Sequence, residues 1–214
     1  MSYRFNRCQM GTLTGMTTAS AVDDRFRLFG GRPCLDLIAT YGKRHTDQGV
    51  ERLPDGATLL DWLIIAGILP AQAASARVDD AQLAAARALR EAINRLVRAT
   101  MAGQEWAEAD IELVNAVAAT PDLAPSLGSA PGPGTGGTVG WGERDPVDAA
   151  LATLARDAVD LLNGVRTARI KECEHPGCSL LFFDDSQSSR RRWCSMDRCG
   201  NLVKIAGYRR RTRS

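Results

Sequence analysis

The alternation of apolar and polar residues predicts a chain that is mostly helical. The clearest segment runs from Asp79 to about Met101, where apolar residues recur every three or four positions. Asp79 and Gln82 stand three residues apart at its start, a spacing typical of a capping box. We expect a long amphipathic helix there, with an Arg-rich face exposed to water.

A second strong helical pattern follows Asp145-Pro146, an N-cap residue with proline in the first turn. Its apolar residues repeat at helical spacing up to Asn163-Gly164, a typical C-terminal stop. The next residues, 166–173, are predicted to run extended into the first of four clustered cysteines. We therefore expect an N-terminal domain to end near residue 168 and a small C-terminal unit, residues 169–214, to follow.

Three further segments carry weaker patterns. The sequence predicts a short buried helix from a Thr58 cap to Pro70, and another helix from Gln104 to Ala119. Within 26–38, alternating apolar residues flank a Gly-Gly-Arg-Pro turn, which indicates a short strand, a turn and the start of a helix. The expected fold class is α+β, with a predominantly helical N-terminal domain, residues 25–168, that has a small strand component.

Two stretches lack an apolar period. Residues 1–24 are polar and Thr-rich, and we expect a disordered lead there. Residues 120–144 are dense in Pro and Gly, which predicts a flexible loop or a degraded hairpin. The helices on either side of this loop are expected to form the N-terminal core.

Composition narrows the class of protein without giving a function. Of the 214 residues, 44% are apolar and 24% charged, as in ordinary globular domains. The longest apolar stretch, Trp62 to Leu69, is far shorter than the roughly 20 residues needed to cross a bilayer. The N-terminus has no apolar region behind its arginines, so it does not resemble a secretory signal. We expect a cytoplasmic protein with no membrane contact.

The net charge of +2 conceals an uneven distribution. Residues 171–214 hold ten basic and five acidic residues, whereas residues 1–170 hold 17 basic and 20 acidic ones. Within 190–214, nine basic residues stand against Asp197 alone. A basic end on an acidic body suggests a polyanionic partner, with a merely solvated charged face as the alternative.

Four of the six cysteines form a metal-binding pattern. Cys173 and Cys178 make one Cys-x4-Cys pair, Cys194 and Cys199 make a second, and fifteen residues separate the pairs. Each loop can deliver two thiolates to one edge of a tetrahedron, as in structural zinc sites. We expect one structural Zn²⁺ held by all four cysteines. The alternatives are free or disulfide-bonded thiols, and a site in which His175 replaces one cysteine.

The remaining reactive side chains predict no catalytic constellation. Cys8 lies in the expected disordered lead and Cys34 in an apolar run, where a free cysteine behaves as a small hydrophobic residue. His45 has no candidate partner, and Asp184-Asp185 follows an aromatic pair, which is typical of a turn. The sequence also lacks a nucleophile elbow and a Gly-rich phosphate loop, so we do not expect an enzyme.

The C-terminal segment resembles a known zinc finger over about 40 residues. It combines the two cysteine pairs with the aromatic pair Phe182-Phe183, an arginine run before Trp193 and the motif Cys199-Gly200-Asn201. These features are similar to the CGNR zinc finger. Leu202 stands where the motif has its arginine, so this chain lacks one nucleic-acid contact if that arginine makes one.

The preceding region resembles the ABATE domain, which is found with that finger in stress-induced bacterial transcription regulators. The resemblance is carried by residues 30–37, with the sequence GGRPCLDL, and by the capped helix before the finger. Ala39 departs from the asparagine that members often have at its position. The resemblance implies two units, an ABATE-like helical domain and a four-cysteine CGNR finger.

This architecture implies a zinc-dependent, DNA-binding transcription regulator. The finger and its basic tail would contact DNA, with zinc holding the loop 173–185 against a helix from Asp197 to Tyr208. The N-terminal domain would sense a small-molecule effector or form a homodimer. The candidate nucleic-acid contacts are Arg190, Arg191, Arg192, Arg198, Asn201, Lys204, Arg209, Arg210, Arg211 and Arg213.

Two other functions stay open at this point. The finger could be a protein-interaction module, which would need an exposed apolar anchor such as Phe182 or Phe183. Their position beside Cys178 instead favours the core of the finger. The basic surface could bind RNA, with Trp193 or Tyr208 stacking on bases.

Overall fold

The computed structural model describes residues 25–128, 138–141, 145–164 and 166–211. The expected disordered lead 1–24, with Cys8, lies outside these residues. Most of the centre of the expected loop 120–144 also lies outside them.

Helices dominate the N-terminal domain, as predicted. The α-helices are α1 (Pro33–Ile38), α2 (Gly56–Ile65), α3 (Asp80–Ala102), α4 (Glu108–Ala118), α5 (Pro146–Leu162) and α6 (Asn201–Arg211). Shorter helical turns are a 3-10 turn at Ala71–Ser75, another at Thr167–Arg169 and a π-type turn at Met196–Gly200. In the described part of the chain, no helix has both the length and the apolar character needed to cross a membrane.

The strongest sequence signals are confirmed at the starts of α3 and α5. The Asp79 carboxylate accepts from the backbone N–H of Gln82 at 2.7 Å, and the Gln82 side chain accepts from the N–H of Asp79. At α5 the Asp145 side chain caps the first turn and Pro146 is the first helical residue. Each cap satisfies amide groups that a helix leaves without partners.

The start of α2 differs from the prediction. Asp55, not Thr58, is the N-cap, and its carboxylate accepts from both the N–H and the hydroxyl of Thr58 at 2.8 Å. Asp caps a helix better than Thr does, so the helix begins at Gly56. The short strand predicted before α1 is also wrong, because no strand forms between Arg25 and Pro33.

The start of α4 is also later than predicted. The helix begins at Glu108 rather than Gln104, and it has no side-chain cap. Trp106 therefore precedes the helix, 40% exposed, and its indole N–H donates to the Thr100 hydroxyl at 2.9 Å.

The main apolar core is built by α1 to α5: α3 and α5 contact each other and both contact α1 and α4, while α2 packs against α3. The predicted apolar stripe of α3 is confirmed, with Leu83, Ala86, Leu89, Ile93 and Leu96 all buried. The prediction that the opposite face is wet is wrong at Arg90, which is only 4% exposed. Arg90 makes two hydrogen bonds of 2.7 Å to the Glu51 carboxylate, and this pairing allows its charge to be buried.

Among the residues that the structure describes, the strand component consists of three separate two-stranded antiparallel ladders. In the first, β1 (Tyr41–Gly42) pairs with β2 (Val50–Glu51). In the second, β3 (Pro125–Gly128) pairs with β4 (Thr138–Trp141), so the Pro- and Gly-rich stretch contains a hairpin. In the third, β5 (Ile170–Glu172) pairs with β6 (Leu181–Phe183) at the start of the finger.

The finger packs directly onto the helical domain. Ile170, Leu181 and Phe183 belong to the same buried cluster as the residues of α1, α3 and α5. The chain at Gly31 passes close to β6, where a Cβ would lie 3.3 Å from the Phe183 carbonyl oxygen, and its φ is +73°. Glycine tolerates both the close approach and the positive φ because it has no Cβ. The α+β class is confirmed. The finger adds three side chains to the core of the helical domain, and its cysteines and Phe182 form a second buried cluster with Ala39.

Candidate metal centre and basic surface

The four clustered cysteines converge on one point in the finger. Cys173 follows β5, Cys178 lies in the loop before β6, Cys194 follows the arginine run and Cys199 lies in the π-type turn. All four are buried, and their sulfur atoms lie within 4.8 Å of one another. The β5–β6 ladder and the turn before α6 thus bring the two cysteine pairs together.

The sulfur positions fit a tetrahedral metal site. Cys194 Sγ lies 3.9 Å from Cys178 Sγ and 3.7 Å from Cys199 Sγ. A zinc–sulfur distance of about 2.3 Å gives a tetrahedron edge of about 3.8 Å. A disulfide needs about 2.0 Å between sulfurs, so the disulfide alternative does not fit. The four thiols form a site for one zinc ion.

The electrostatics of the cluster favour a divalent cation. A hydrogen bond with Cys194 lowers the pKa of Cys178 to about 5, and the same bond raises the pKa of Cys194 far above its usual range. Burial, together with the charge of Cys178, raises the pKa of Cys199 to about 12. Four thiolates coexist only when a cation offsets their repulsion. Four sulfur ligands leave no position for a catalytic water, so the ion is structural.

Backbone hydrogen bonds fix the cysteine loops. The N–H of Cys178 donates to the carbonyl of His175 at 2.8 Å, and the N–H of Cys194 donates to Cys173 Sγ at 3.4 Å. The His175 ring stays outside the sulfur cluster, where its Nδ1 accepts from the N–H of Gly177 at 3.1 Å. The geometry therefore favours four cysteines over the alternative in which His175 is a ligand.

Cys34 and His45 both lie apart from the sulfur cluster. Cys34 is completely buried in α1, and burial raises the pKa of its thiol well above the usual range. His45 lies at the contact between the two units, with Nε2 3.2 Å from the carbonyl oxygen of Cys178. Cys34 behaves as the small hydrophobic residue that the sequence predicted.

Asp184 organises the finger, a role that the sequence analysis missed. Its fully buried carboxylate accepts from Lys171 Nζ at 2.6 Å, from the Ser186 hydroxyl at 2.5 Å and from the N–H of Arg191 at 2.9 Å. Burial raises the pKa of Asp184, but these hydrogen bonds outweigh burial and hold the pKa far below its usual range. The neighbouring Asp185 is exposed. The only sequence signal for this role was the Asp-Asp-Ser turn.

The first two residues of the arginine run have opposite environments. Arg190 is exposed to solvent. Arg191 folds inward: its guanidinium donates to the carbonyls of Trp193 and Cys194 and lies 4.6 Å from the centre of the Phe182 ring. The Arg191 side chain therefore holds the loop that carries the second cysteine pair.

Arg192 is exposed but already has local partners. Its guanidinium pairs with Glu174 at 2.6 Å and lies 5.0 Å from the centre of the Trp193 ring. Phe182 and Phe183 are 0% and 8% exposed, which confirms that they belong to the core. They are therefore not available as anchors for a protein partner.

The other candidates among the described residues lie on the π-type turn and on α6. The predicted helix is present, but α6 begins at Asn201 rather than Asp197 and extends to Arg211. Arg198 is half-buried, and the Asn201 side chain donates to the Asp197 carbonyl at 3.3 Å. Lys204 and Arg209 are exposed. The side chains of Arg210, Arg211 and Arg213 lie outside the described part of the structure.

Both halves of the chain match known families. Residues 31–165 match ABATE, a family described as "Putative stress-induced transcription regulator". Residues 169–212 match the CGNR zinc finger. A comparison with curated proteins finds no match to the chain. With most of its length matched by the first family and its four cysteines within the second, the chain belongs to the ABATE family and carries a CGNR zinc finger.

Proposed function

We propose that the chain is a zinc-dependent transcription regulator that binds DNA through the finger and the basic residues around it. The ABATE domain is then the input side, which senses a small-molecule effector or forms a homodimer. The protein is a regulator in the cytoplasm and not an enzyme. The family match and the zinc finger support the regulatory class.

A set of exposed cations beside the zinc site carries the proposal. Arg190 precedes Cys194 by four residues, while Lys204 and Arg209 follow Cys199 on α6, and all three cations are exposed. Zinc would link the segment that carries Arg190 to the start of α6. The positions of these charges relative to one another would then be fixed. Such cations neutralise phosphates and release counterions, which supplies affinity without sequence discrimination.

Residues in the first turns of α6 would make the contacts with base edges. Asn201 and Lys204 are exposed there, and their side chains are suited to hydrogen bonding with adenine and guanine edges. Leu202, in place of the motif arginine, supplies no such hydrogen bond. We therefore expect binding in which the electrostatic contribution exceeds the sequence-specific one.

The proposed contact surface is smaller than the sequence predicted. Arg191 uses its donors within the finger, and Arg192 pairs with Glu174. Arg190, Lys204 and Arg209 are the leading contacts. The other basic candidates, whose contribution depends on their reach toward a duplex, are Arg198, Arg210, Arg211 and Arg213.

A second candidate function rests on exposed apolar side chains of the same region. Met196, Leu202 and Ile205 are 47%, 52% and 48% exposed. Leu202 and Ile205 stand three residues apart, so they share one face of α6. A finger that docks on a protein, or on a second copy, would use this face, and Leu202→Ser would then weaken self-association in sedimentation measurements.

The deciding experiment is duplex-DNA binding of the zinc-loaded chain, followed by fluorescence anisotropy at several salt concentrations. We expect log K to fall linearly with log salt. Arg190→Gln and Lys204→Gln should each weaken binding and reduce the slope by about 0.9. Arg77 is exposed and far along the chain from the finger, so Arg77→Gln should change neither the affinity for DNA nor the salt slope.

The same assay separates the competing functions. Cys194→Ser should lose DNA binding because it lacks one zinc ligand. Absence of binding by the parent at low salt would overturn the proposal and leave the protein-docking function. Tighter binding to single-stranded RNA than to duplex DNA would favour an RNA-binding role.

A further inference from the structure

A cleft opens between the helical domain and the first cysteine loop. The helical domain contributes Arg27, Lys43 and Arg52 to its wall, and the finger contributes residues 177–180. No Asp or Glu is among the described residues that line it. Its volume of ≈ 60 Å³ is several times the roughly 15 Å³ that one water requires. None of these three cations belongs to the proposed DNA contacts.

The Arg27 side chain has a buried hydrogen-bond donor, Nε, that is unpaired among the described residues. The Nε atoms of Arg32 and Arg44 are also buried without a partner, so this feature alone does not mark a ligand site. Arg27 differs from them because it also lines the cleft, where its guanidinium adds positive charge.

The Arg52 guanidinium is held in place by packing, but its hydrogen bonds are long. Its guanidinium lies against Gly42, where a Cβ would come within 2.3 Å of Nη1. Its described hydrogen bonds, to the carbonyls of Ala39 and Val50, are both 3.5 Å long. Glycine at position 42 thus makes room for a guanidinium whose donors have only distant acceptors.

The charges around Arg52 are unbalanced. Arg27 and Arg198 lie close enough to repel it, and the attractions of Cys178 and Glu51 are smaller. The Glu51 carboxylate is already engaged by Arg90, with two hydrogen bonds of 2.7 Å. A zinc ion with four thiolates has a formal charge of −2, which offsets at most two of the three cations in the wall. A net positive charge remains in the cleft.

We propose that this cleft binds the phosphate group of a small phosphorylated molecule. The forked guanidinium groups of Arg27 and Arg52 hold the phosphate oxygens, and Lys43 adds a point charge at the rim. The cleft is about half open to solvent, so the remainder of the ligand extends outward. Because the wall is shared by the ABATE domain and the Cys178 loop, the bound phosphate bridges the two units.

The test is calorimetric titration of the zinc-loaded full chain with inorganic phosphate, at constant ionic strength set with sodium chloride. We expect one phosphate per chain and a rise in Tm. Arg27→Gln and Arg52→Gln should each weaken phosphate binding at least tenfold, and Arg77→Gln should not change it. Gly42→Ala, which displaces the Arg52 guanidinium, should weaken binding as Arg52→Gln does.

Two outcomes overturn the proposal: absence of phosphate binding by the parent, and equal binding by all variants. If the parent binds no free phosphate while Arg27→Gln and Arg52→Gln weaken duplex-DNA binding, these cations are assigned to the DNA backbone. Zinc content, measured for every variant, shows whether a loss of binding comes from a lost metal. Because the titration contains no DNA, its result is independent of the proposed regulatory function.

Discussion

The backbone N–H of Phe183 donates to the carbonyl oxygen of Gly30 at 2.7 Å, and the Phe183 ring is buried in the core of the helical domain. Strand β6 of the finger therefore completes a core that α1 and α3 begin. The contacts of α1 with β6 and of α3 with β5 extend the same interface. Since the two units share buried surface, we expect them to unfold together.

Truncation of the shared aromatic ring tests this coupling. Phe183→Ala should lower the free energy of unfolding by about 3–5 kcal/mol, because it leaves a cavity in the core. Leu127→Ala, at a leucine that is 85% exposed, should change it by less than about 0.5 kcal/mol. Helix content and tryptophan fluorescence should follow one thermal transition in the parent. Two separate transitions would contradict the shared core.

Removal of zinc should destabilise the helical domain as well as the finger. The parent should contain one zinc ion per chain by mass spectrometry of the metal, and Cys194→Ser should contain less than a tenth of that. Chelation should then lower the Tm of the helical domain as well, because the finger holds Phe183 in its core. Cys34→Ala, at a buried cysteine outside the site, should retain the zinc. Full zinc content in Cys194→Ser would exclude the four-cysteine site.

Adjacent carboxylates allow a matched test of the finger's internal network. Asp184→Asn should cost about 3 kcal/mol, because it leaves the Lys171 ammonium without its buried anion. Asp185→Asn, at an exposed position, should be nearly neutral. Denaturant titration of both variants measures the difference. Equal effects would mean that Asp184 does not organise the loop.

The pH dependence of the Asp184 contribution has a defined sign. Its pKa in the folded protein lies far below the unfolded value of about 3.9. The contribution is therefore fully present above about pH 4 and is lost as the pH falls toward the folded pKa. The parent should lose stability relative to Asp184→Asn as the pH falls below about 4.

Asp36 in α1 should have the opposite pH dependence. Burial raises the pKa of Asp36 to about 7, with Asp157 adding to the rise and the hydrogen bond from Gly30 opposing it. A raised folded pKa favours the folded state at low pH, and this advantage is lost as the pH rises from about 4 to about 7. Asp36→Asn should therefore be more stable than the parent at pH 8, by on the order of 2 kcal/mol.

Thermal unfolding at pH 5 and pH 8 measures this effect. The gain from Asp36→Asn should be about a third as large at pH 5 as at pH 8, because at pH 5 the unfolded carboxyl is already ionised while the folded one is still protonated. Asp47→Asn, an exposed control, should show no such dependence. A gain of equal size at both pH values would assign it to packing rather than to titration.

Local patterns in the sequence predicted the parts of the structure that local chemistry determines. The Asp79–Gln82 capping box, the start of α5 and the cysteine spacing each depend on residues that are close in the chain. The sequence pattern also favours Thr58 as the α2 cap, but Asp55, three residues earlier, is the stronger acceptor and takes that position.

Contacts between distant residues explain what the sequence did not reveal. Arg90 appeared to belong to a wet face, but Glu51 on another element neutralises it and allows its burial. Arg191 looked like its neighbour Arg190, yet a nearby aromatic ring and two carbonyls turn it inward. Composition cannot separate such residues, since the difference is set by the fold around them.

Leu202 provides a gain-of-function test of the DNA-binding surface. It is 52% exposed in the first turn of α6, beside Lys204 and at the position where the motif has arginine. Leu202→Arg adds one cation to the surface without disturbing a buried contact. If α6 faces the duplex, the new guanidinium gains a phosphate or a guanine edge.

The expected result is a three- to tenfold rise in affinity for duplex DNA, which corresponds to roughly 1 kcal/mol, with a salt slope steeper by about 0.9 if the contact is to phosphate. Leu202→Gln removes the same apolar side chain without adding charge, so it separates the effect of charge from that of lost hydrophobic surface. Arg77→Lys, a charge-conserving change outside the finger, is the control and should not change the affinity for DNA. Equal affinity of Leu202→Arg and the parent would place this face of α6 away from DNA, and the exposed apolar pair at 202 and 205 would then be assigned to protein contact.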